Sequence, residues 1–166
     1  MSAAPAAALR PALPADAPLL AAILQAAVFE LTGDDYEPDQ QEAWAALADD
    51  EEAFAARLAT RLTLVATRGG EPVGFVALAD NAVIDLLYVH PEVAGEGVAT
   101  LLCDAVERLA QARGAKSLSA DASDTALGFF QKRGYVPQRR NTVPLGAVWL
   151  GNTTVQKTLA EGEARS

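Results

Sequence analysis

The fold turns on one stretch, Ala82 to Gly114, which reads AVIDLLYV (82–89), HPEVAGEGVAT (90–100) and LLCDAVERLAQARG (101–114). The first segment is a short run of aliphatic and β-branched residues, which reads as a strand. Val98, Leu101, Leu102, Ala105, Val106 and Leu109 then fall at helical spacings of three and four, and Gly114 stands where the C-terminal cap of that helix belongs. Gly95 and Gly97 lie between strand and helix. A strand that feeds a glycine turn at a helix start gathers several backbone N–H groups at one point, where the helix dipole also favours negative charge. The segment is a candidate anion cradle, and phosphate is the anion such a turn suits.

On the N-terminal side, Leu9 to Leu13 is expected to form a short strand. Asp16 is expected to cap a helix with Pro18 in its first turn and Leu19, Leu20, Ile23, Leu24, Ala27 and Val28 along one side. Two short helical segments follow, Asp39 to Ala48 and Glu51 to Thr60. The period then changes to two: Leu62 to Thr67, a glycine turn at Gly69 and Gly70, and Val73 to Asp80 read as a hairpin that Ala82 to Val89 extends into a meander. On the C-terminal side, Lys116 to Ala120 reads as a strand, Asp124 to Arg133 as a helix closed by Gly134, and Tyr135 to Thr142 and Val148 to Leu159 as the last two strands. This order predicts an α/β fold with one mixed sheet of about seven strands, mostly antiparallel, and excludes a doubly wound sheet. A single domain over residues 1–166 is expected, with residues 1–7 and 161–166 frayed.

Apolar residues make up 51% of the chain and charged residues 21%, and no segment reads as a membrane span or a secretory signal. The single cysteine, Cys103, falls off the apolar stripe of its helix and cannot close an internal disulfide, in keeping with a cytoplasmic setting. The net charge of −9 is confined to the first sixty residues, where Arg10 and Arg57 face eleven carboxylates. An acidic chain without a basic patch argues against nucleic acid as a partner, and neither composition nor hydropathy points to a membrane. The lone His90, before Pro91, reads as a turn residue. With no clustered Cys or His spacing, no metal is expected.

With the loop and the element order in view, the chain resembles the GNAT superfamily of acyl-CoA-dependent N-acetyltransferases. Three pieces carry the resemblance: LLYVHPEVAGEGVATLL (86–102), SDTALGFFQKRGY (123–135) and RNTVPLGAVWLGNTTVQKTL (140–159), the last similar to the closing hairpin of a bacterial subgroup of undefined substrate. The resemblance implies the GNAT fold, with helices on both faces of the sheet. It also implies acetyl-CoA as co-substrate, direct transfer in a ternary complex to a primary amine of a small molecule or peptide, and the homodimer common in the superfamily. The chain departs from the family at two positions. Ala94 stands where a Gln or Arg is usual, and Phe130 stands where the family places its acid tyrosine.

The resemblance assigns the pyrophosphate to the N–H groups of Ala94, Gly95, Glu96, Gly97, Val98, Ala99 and Thr100, and the pantetheine arm to Leu87, Tyr88, Val89, Ser123 and Phe130. A splayed strand there would leave an N–H near Tyr88 or Val89 for the carbonyl oxygen as it gains charge. Ser123 suits either the pantetheine or a helix cap. Asp85 interrupts the apolar strand and is the first candidate for a base, its pKa raised by burial, unless it is paired with an arginine or backbone donors. Tyr135 and Tyr88 are the candidate acids, with Tyr135 also suited to packing in the sheet. Tyr36, Glu37, Asp39 and Trp44 fall where the first helices of the superfamily cover the acceptor slot, an acidic region suited to selecting a cation, though a tryptophan such as Trp44 is more often simply a core anchor. Two other classes remain on sequence grounds. One is an acyl-CoA-binding module with lost or weak catalysis. The other is a nucleotide-binding regulator, which rests on the loop alone.

Overall fold

Period-two alternation and tight turns bring seven segments into one sheet: β1 (Ala8–Pro11), β2 (Leu62–Arg68), β3 (Glu71–Ala79), β4 (Val83–Val89), β5 (Ser117–Ser123), β6 (Val136–Leu145) and β7 (Val148–Thr158). The computed structural model describes residues 7–159. The strand order is β1-β2-β3-β4-β5-β7-β6, and every neighbouring pair is antiparallel except β4 and β5. The expected strand count, the meander and the mixed sheet are all present.

Among the described residues, five α-helices cover the two faces: α1 (Ala17–Leu31), α2 (Pro38–Ala45), α3 (Glu51–Ala59), α4 (Val98–Ala112) and α5 (Leu127–Lys132). Leu20, Leu24 and Val28 of α1 are wholly buried with Phe54 of α3 and Phe75 of β3. On the opposite face Val98, Leu102 and Val106 of α4 pack with Leu118, Phe130 and Val155. At about 1.5–3 kcal/mol for each large side chain removed from water, these two layers hold the sheet between them.

Several expectations are corrected. Asp16 does not cap α1: its carboxylate accepts two bonds from Arg10, at 2.7 and 2.9 Å, and one from the Leu13 N–H, and so closes the single turn Pro14–Asp16. The buried stripe of α4 is rotated, since Leu109 is exposed while Cys103 is fully buried beside the charged groups of Arg133 and Glu107, and burial pushes its thiol up to about 12. The helix expected from Asp124 begins at Leu127, because Ala126 N–H turns back to both the backbone and side-chain oxygens of Ser123. Pro14–Leu31 is long and apolar enough to cross a membrane, contrary to the sequence reading, but its apolar face is the core contact just described. The termini expected to be frayed lie outside the described residues, save Ala7, which packs on the core.

Candidate active site

β4 and β5 are paired only at Val83 with Ser119 and Ile84 with Ala120, and beyond those positions the strands part. A bulge in the pairing of β4 with β3 falls at Asp85, between the positions of Ile84 and Leu86. It reverses the alternation, so that Ile84 joins the core under α4 while Leu86 joins the core under α1. Past the bulge the His90 N–H reaches back to Val73 of β3, at 2.8 Å. Strand alternation therefore directs the Tyr88 N–H to β3 as well, and turns the N–H groups of Leu87 and Val89 into the gap between β4 and β5. Of the two residues expected to offer an N–H there, Val89 does so and Tyr88 does not.

The loop after β4 is a single tight turn, Pro91–Val93, fastened by the Glu92 N–H to His90 Nδ1 at 3.1 Å, which makes His90 the expected turn residue. Gly95 and Gly97 have φ of 80° and 88°, a left-handed backbone that side chains rarely adopt. The Ala94 and Glu96 N–H groups are spent within the turn, on the carbonyls of Pro91 and Val93, and the first helical bond of α4 is from Leu101 to Gly97. Among the described residues, the N–H groups of Gly95, Gly97, Val98, Ala99 and Thr100 have no backbone partner. Of the seven residues expected to form the cradle, five thus have an N–H group without a backbone partner. Glu96 points its carboxylate to Arg68, at 2.7 Å.

A cavity of about 430 Å³ opens from this fork beneath α1 and α2. Leu87, Tyr88 and Val89 line it on one side, Ser123 and Phe130 on another, and Leu31, Leu47, Leu145 and Leu150 add apolar surface. Its outer wall is tied across the chain. Tyr36 donates its hydroxyl proton to the Gly151 carbonyl, at 2.7 Å, and receives the Asp124 N–H, while Gln40 Nε2 donates to the Trp149 carbonyl. Tyr36 and Trp44 thus line the cavity, whereas Glu37 and Asp39 do not.

The candidate catalytic side chains separate clearly. Asp85 is gripped by Arg57 through Nε and Nη2, at 2.9 and 3.0 Å, and by Arg61 Nε at 3.2 Å. Burial pushes its pKa up, but the bonds and charges of the two guanidiniums outweigh this, so the net shift is downward. The raised pKa expected of a base is therefore corrected, and the arginine pairing is the one observed. Tyr135 is buried against Phe130, and its hydroxyl donates to Glu107 at 2.8 Å. It lies outside the cavity lining, so the packing role is the one the structure supports. The Tyr88 hydroxyl receives the Trp44 indole N–H at 2.9 Å, and burial raises its pKa to about 12. Its own proton has no acceptor among the described residues. Among those residues no group of three His, Cys, Asp or Glu side chains could hold a metal ion.

Sequence reading missed Arg57, Arg61 and Asp121. The signals were present: Arg57 is one of two basic residues in an acidic third of the chain, and both of these meet an Asp. Asp121 breaks the small-residue run of β5, opposite in phase to the buried Leu118, Ala120 and Ala122.

Residues 32–151 match the acetyltransferase (GNAT) domain family. A curated relative, an N-acetyltransferase named YafP from Escherichia coli K12, is 32% identical over 139 residues, which is 84% of this chain and 87% of that protein. The crystal structure of a GCN5-related N-acetyltransferase from Rhodopseudomonas palustris superposes with a TM-score of 0.92 at 55% identity, covering 96% of this chain and 99% of that one. The PaiA N-acetyltransferase from Thermoplasma acidophilum, solved in complex with coenzyme A, shares the fold at 16% identity, with a TM-score of 0.76 and coverage of 92% and 99%. From the matched domain and the curated relative together, this chain belongs to the GNAT acetyltransferase family.

Proposed function

We propose that the chain transfers an acetyl group from acetyl-CoA to a primary amine of a small molecule or peptide, by direct attack in a ternary complex. The observation that carries this reading is the parting of β4 from β5 at Ile84 and Ala120, with the loop of unpartnered N–H groups at one end of the fork and the cavity at the other. The residues present fit the donor. The N–H groups of Gly95, Gly97, Val98, Ala99 and Thr100 suit a pyrophosphate, and the fork beside Leu87, Val89, Ser123 and Phe130 suits a narrow pantetheine arm. Proteins of this fold in complex with coenzyme A, such as PaiA, and with acetyl-CoA, such as YncA from Salmonella typhimurium, support the assignment.

In this reading the N–H of Val89 or Leu87 stabilises the thioester oxygen as it becomes anionic. Burial at the fork holds donor and amine together without water. Tyr88 keeps its proton at neutral pH and is the cavity tyrosine with a proton to give, since the Tyr36 proton is held by Gly151. It is the acid of this reading, in place of the tyrosine that Phe130 replaces: the amine gives up a proton to water, its nitrogen attacks the thioester carbon, and as the C–S bond breaks Tyr88 protonates the CoA thiolate and regains its proton from the water that took those of the amine.

A second reading, an acyl-CoA-binding module with lost or weak catalysis, is favoured by Phe130, which is packed into the core and bears no proton. Acetyl-CoA-dependent thermal shift and release of free CoA over a panel of primary amines separate the two. The transferase reading expects a raised melting temperature together with amine-dependent thiol release. A raised melting temperature without release on any amine supports the module, and no shift with acetyl-CoA overturns both.

A further inference from the structure

Among the described residues, two carboxylates line the cavity, and the structure treats them in opposite ways. Asp85 is saturated by Arg57 and Arg61, and Arg57 is the cation that the cavity wall contains. Asp121 is the first residue of β5 beyond the fork. Leu118, Ala120 and Ala122 are buried under α4 and α5, so strand alternation turns Asp121 to the other face, into the cavity beneath α1 and α2. Its cross-strand partner Thr154 donates Oγ1–H to Asp121 Oδ1 at 2.6 Å, and Thr154 Oγ1 in turn receives Asn141 Nδ2 at 2.8 Å. Asn141 also donates to Asn152 Oδ1, so three strands hold the chain of bonds in place. Among the described residues, Asp121 Oδ2 has no donor, and no Lys or Arg forms an ion pair with Asp121.

We infer that Asp121 receives the positively charged amine of the acceptor, so that the acceptor is an alkylammonium carried on an apolar body. The inference rests on the reading above that an amine is acetylated. An oriented carboxylate with one oxygen open gives an ammonium both a hydrogen bond and a full ion pair, gives a neutral amine only the weaker hydrogen bond, and repels an anion. Further along the same cavity wall, Leu31, Leu47, Leu145, Leu150 and Trp44 match an apolar or aromatic body and leave the charge to Asp121. The position also suits the geometry of transfer, because Asp121 sits where the fork opens, beside the thioester end of the proposed donor site.

The test uses Asp121→Asn, which keeps an acceptor for Thr154 and removes the charge. Two primary amines of similar size serve as probes at neutral pH: phenethylamine, which is cationic, and an alkyl-substituted aniline, which is neutral. The expected result is a fall of about tenfold to a hundredfold in kcat/KM for phenethylamine and at most about twofold for the aniline, with KM for acetyl-CoA unchanged. Equal losses on both amines, or none on phenethylamine, overturn the inference. Calorimetric binding of phenethylamine in the presence of CoA reads it apart from turnover. Binding weakened by Asp121→Asn supports the inference even where no acetyl is transferred, an outcome that defeats the transferase reading alone. Binding that Asp121→Asn leaves unchanged, or no binding to the wild type, overturns it.

Discussion

The Trp44 indole N–H donates to the Tyr88 hydroxyl across 44 residues of sequence, at 2.9 Å, and the two rings meet edge to face with centroids 6.4 Å apart. The contact joins α2 to the strand whose backbone faces the proposed thioester, and so holds a half-buried phenol in the cavity wall. Removing the phenol and removing its support should have different consequences. Tyr88→Phe deletes the proposed acid and is expected to lower kcat by about a hundredfold, leaving KM for acetyl-CoA unchanged. Trp44→Phe keeps the acid but frees it, and a loss of about tenfold in kcat is expected. Steady-state kinetics on the two variants check the pair: a Tyr88→Phe enzyme with full kcat removes Tyr88 from the reaction.

Asp85 is predicted to act on stability and not on the proton of the amine. Its pKa is lowered from the ordinary 3.8, because Arg57 and Arg61 outweigh burial. A carboxyl lowered in the folded state contributes stability above its unfolded value, and that contribution is lost as pH falls through the folded one. Asp85→Asn should therefore cost about 1–3 kcal/mol at neutral pH, with the difference from wild type shrinking below pH 3.8, as urea denaturation at several pH values will show. The pH-rate profile between pH 6 and 9 is expected to keep its shape. A displaced acidic limb in the variant would return Asp85 to the role of base.

The parts of this molecule that were legible in the sequence are those with a period or a local rule. Alternation in Leu62–Asp80 and the helical stripe from Val98 are properties of adjacent residues, and they placed the meander, the loop and α4 correctly. The rotated stripe of α4 was not legible, because Cys103 is buried near the charges of Arg133 and Lys157, which the fold brings in from the end of α5 and from β7. The same holds for the polar pairs of the site. Nothing local to Asp85 says that Arg57 will reach it, nor that Tyr36 will meet Gly151 from 115 residues away. The bulge at Asp85 decides which face its carboxylate takes, and a bulge leaves only a weak mark on composition.

Glu107 holds the far side of the sheet and should prove structural. It accepts from Tyr135, Arg133 and Lys157, at 2.8, 3.3 and 2.9 Å, joining α4 to the end of α5 and to β7. Glu107→Gln leaves two cations short of their partner and is expected to cost about 2–4 kcal/mol. Tyr135→Phe removes one bond and is expected to cost about 0.5–1.5 kcal/mol with kcat retained. Thermal denaturation and kinetics together check both, and a Tyr135→Phe enzyme that folds but has lost turnover would reinstate Tyr135 as a catalytic group.

The loop itself can be tested against a control within the same chain. Gly97 and Gly69 both have positive φ, 88° and 61°, and a Cβ added at either meets no atom within 4 Å. Alanine at either position should therefore carry only backbone strain, about 1 kcal/mol. They differ in what lies in front of them. Gly69 is at the tip of the β2–β3 hairpin, whereas Gly97 precedes the unpartnered N–H groups of Val98, Ala99 and Thr100. Gly97→Ala is expected to weaken acetyl-CoA binding by about tenfold or more, since a methyl and a shifted backbone there disturb the approach of a phosphate, while Gly69→Ala binds as the wild type does. Titration calorimetry with acetyl-CoA on both variants decides it, and equal affinities would move the anion site away from this turn.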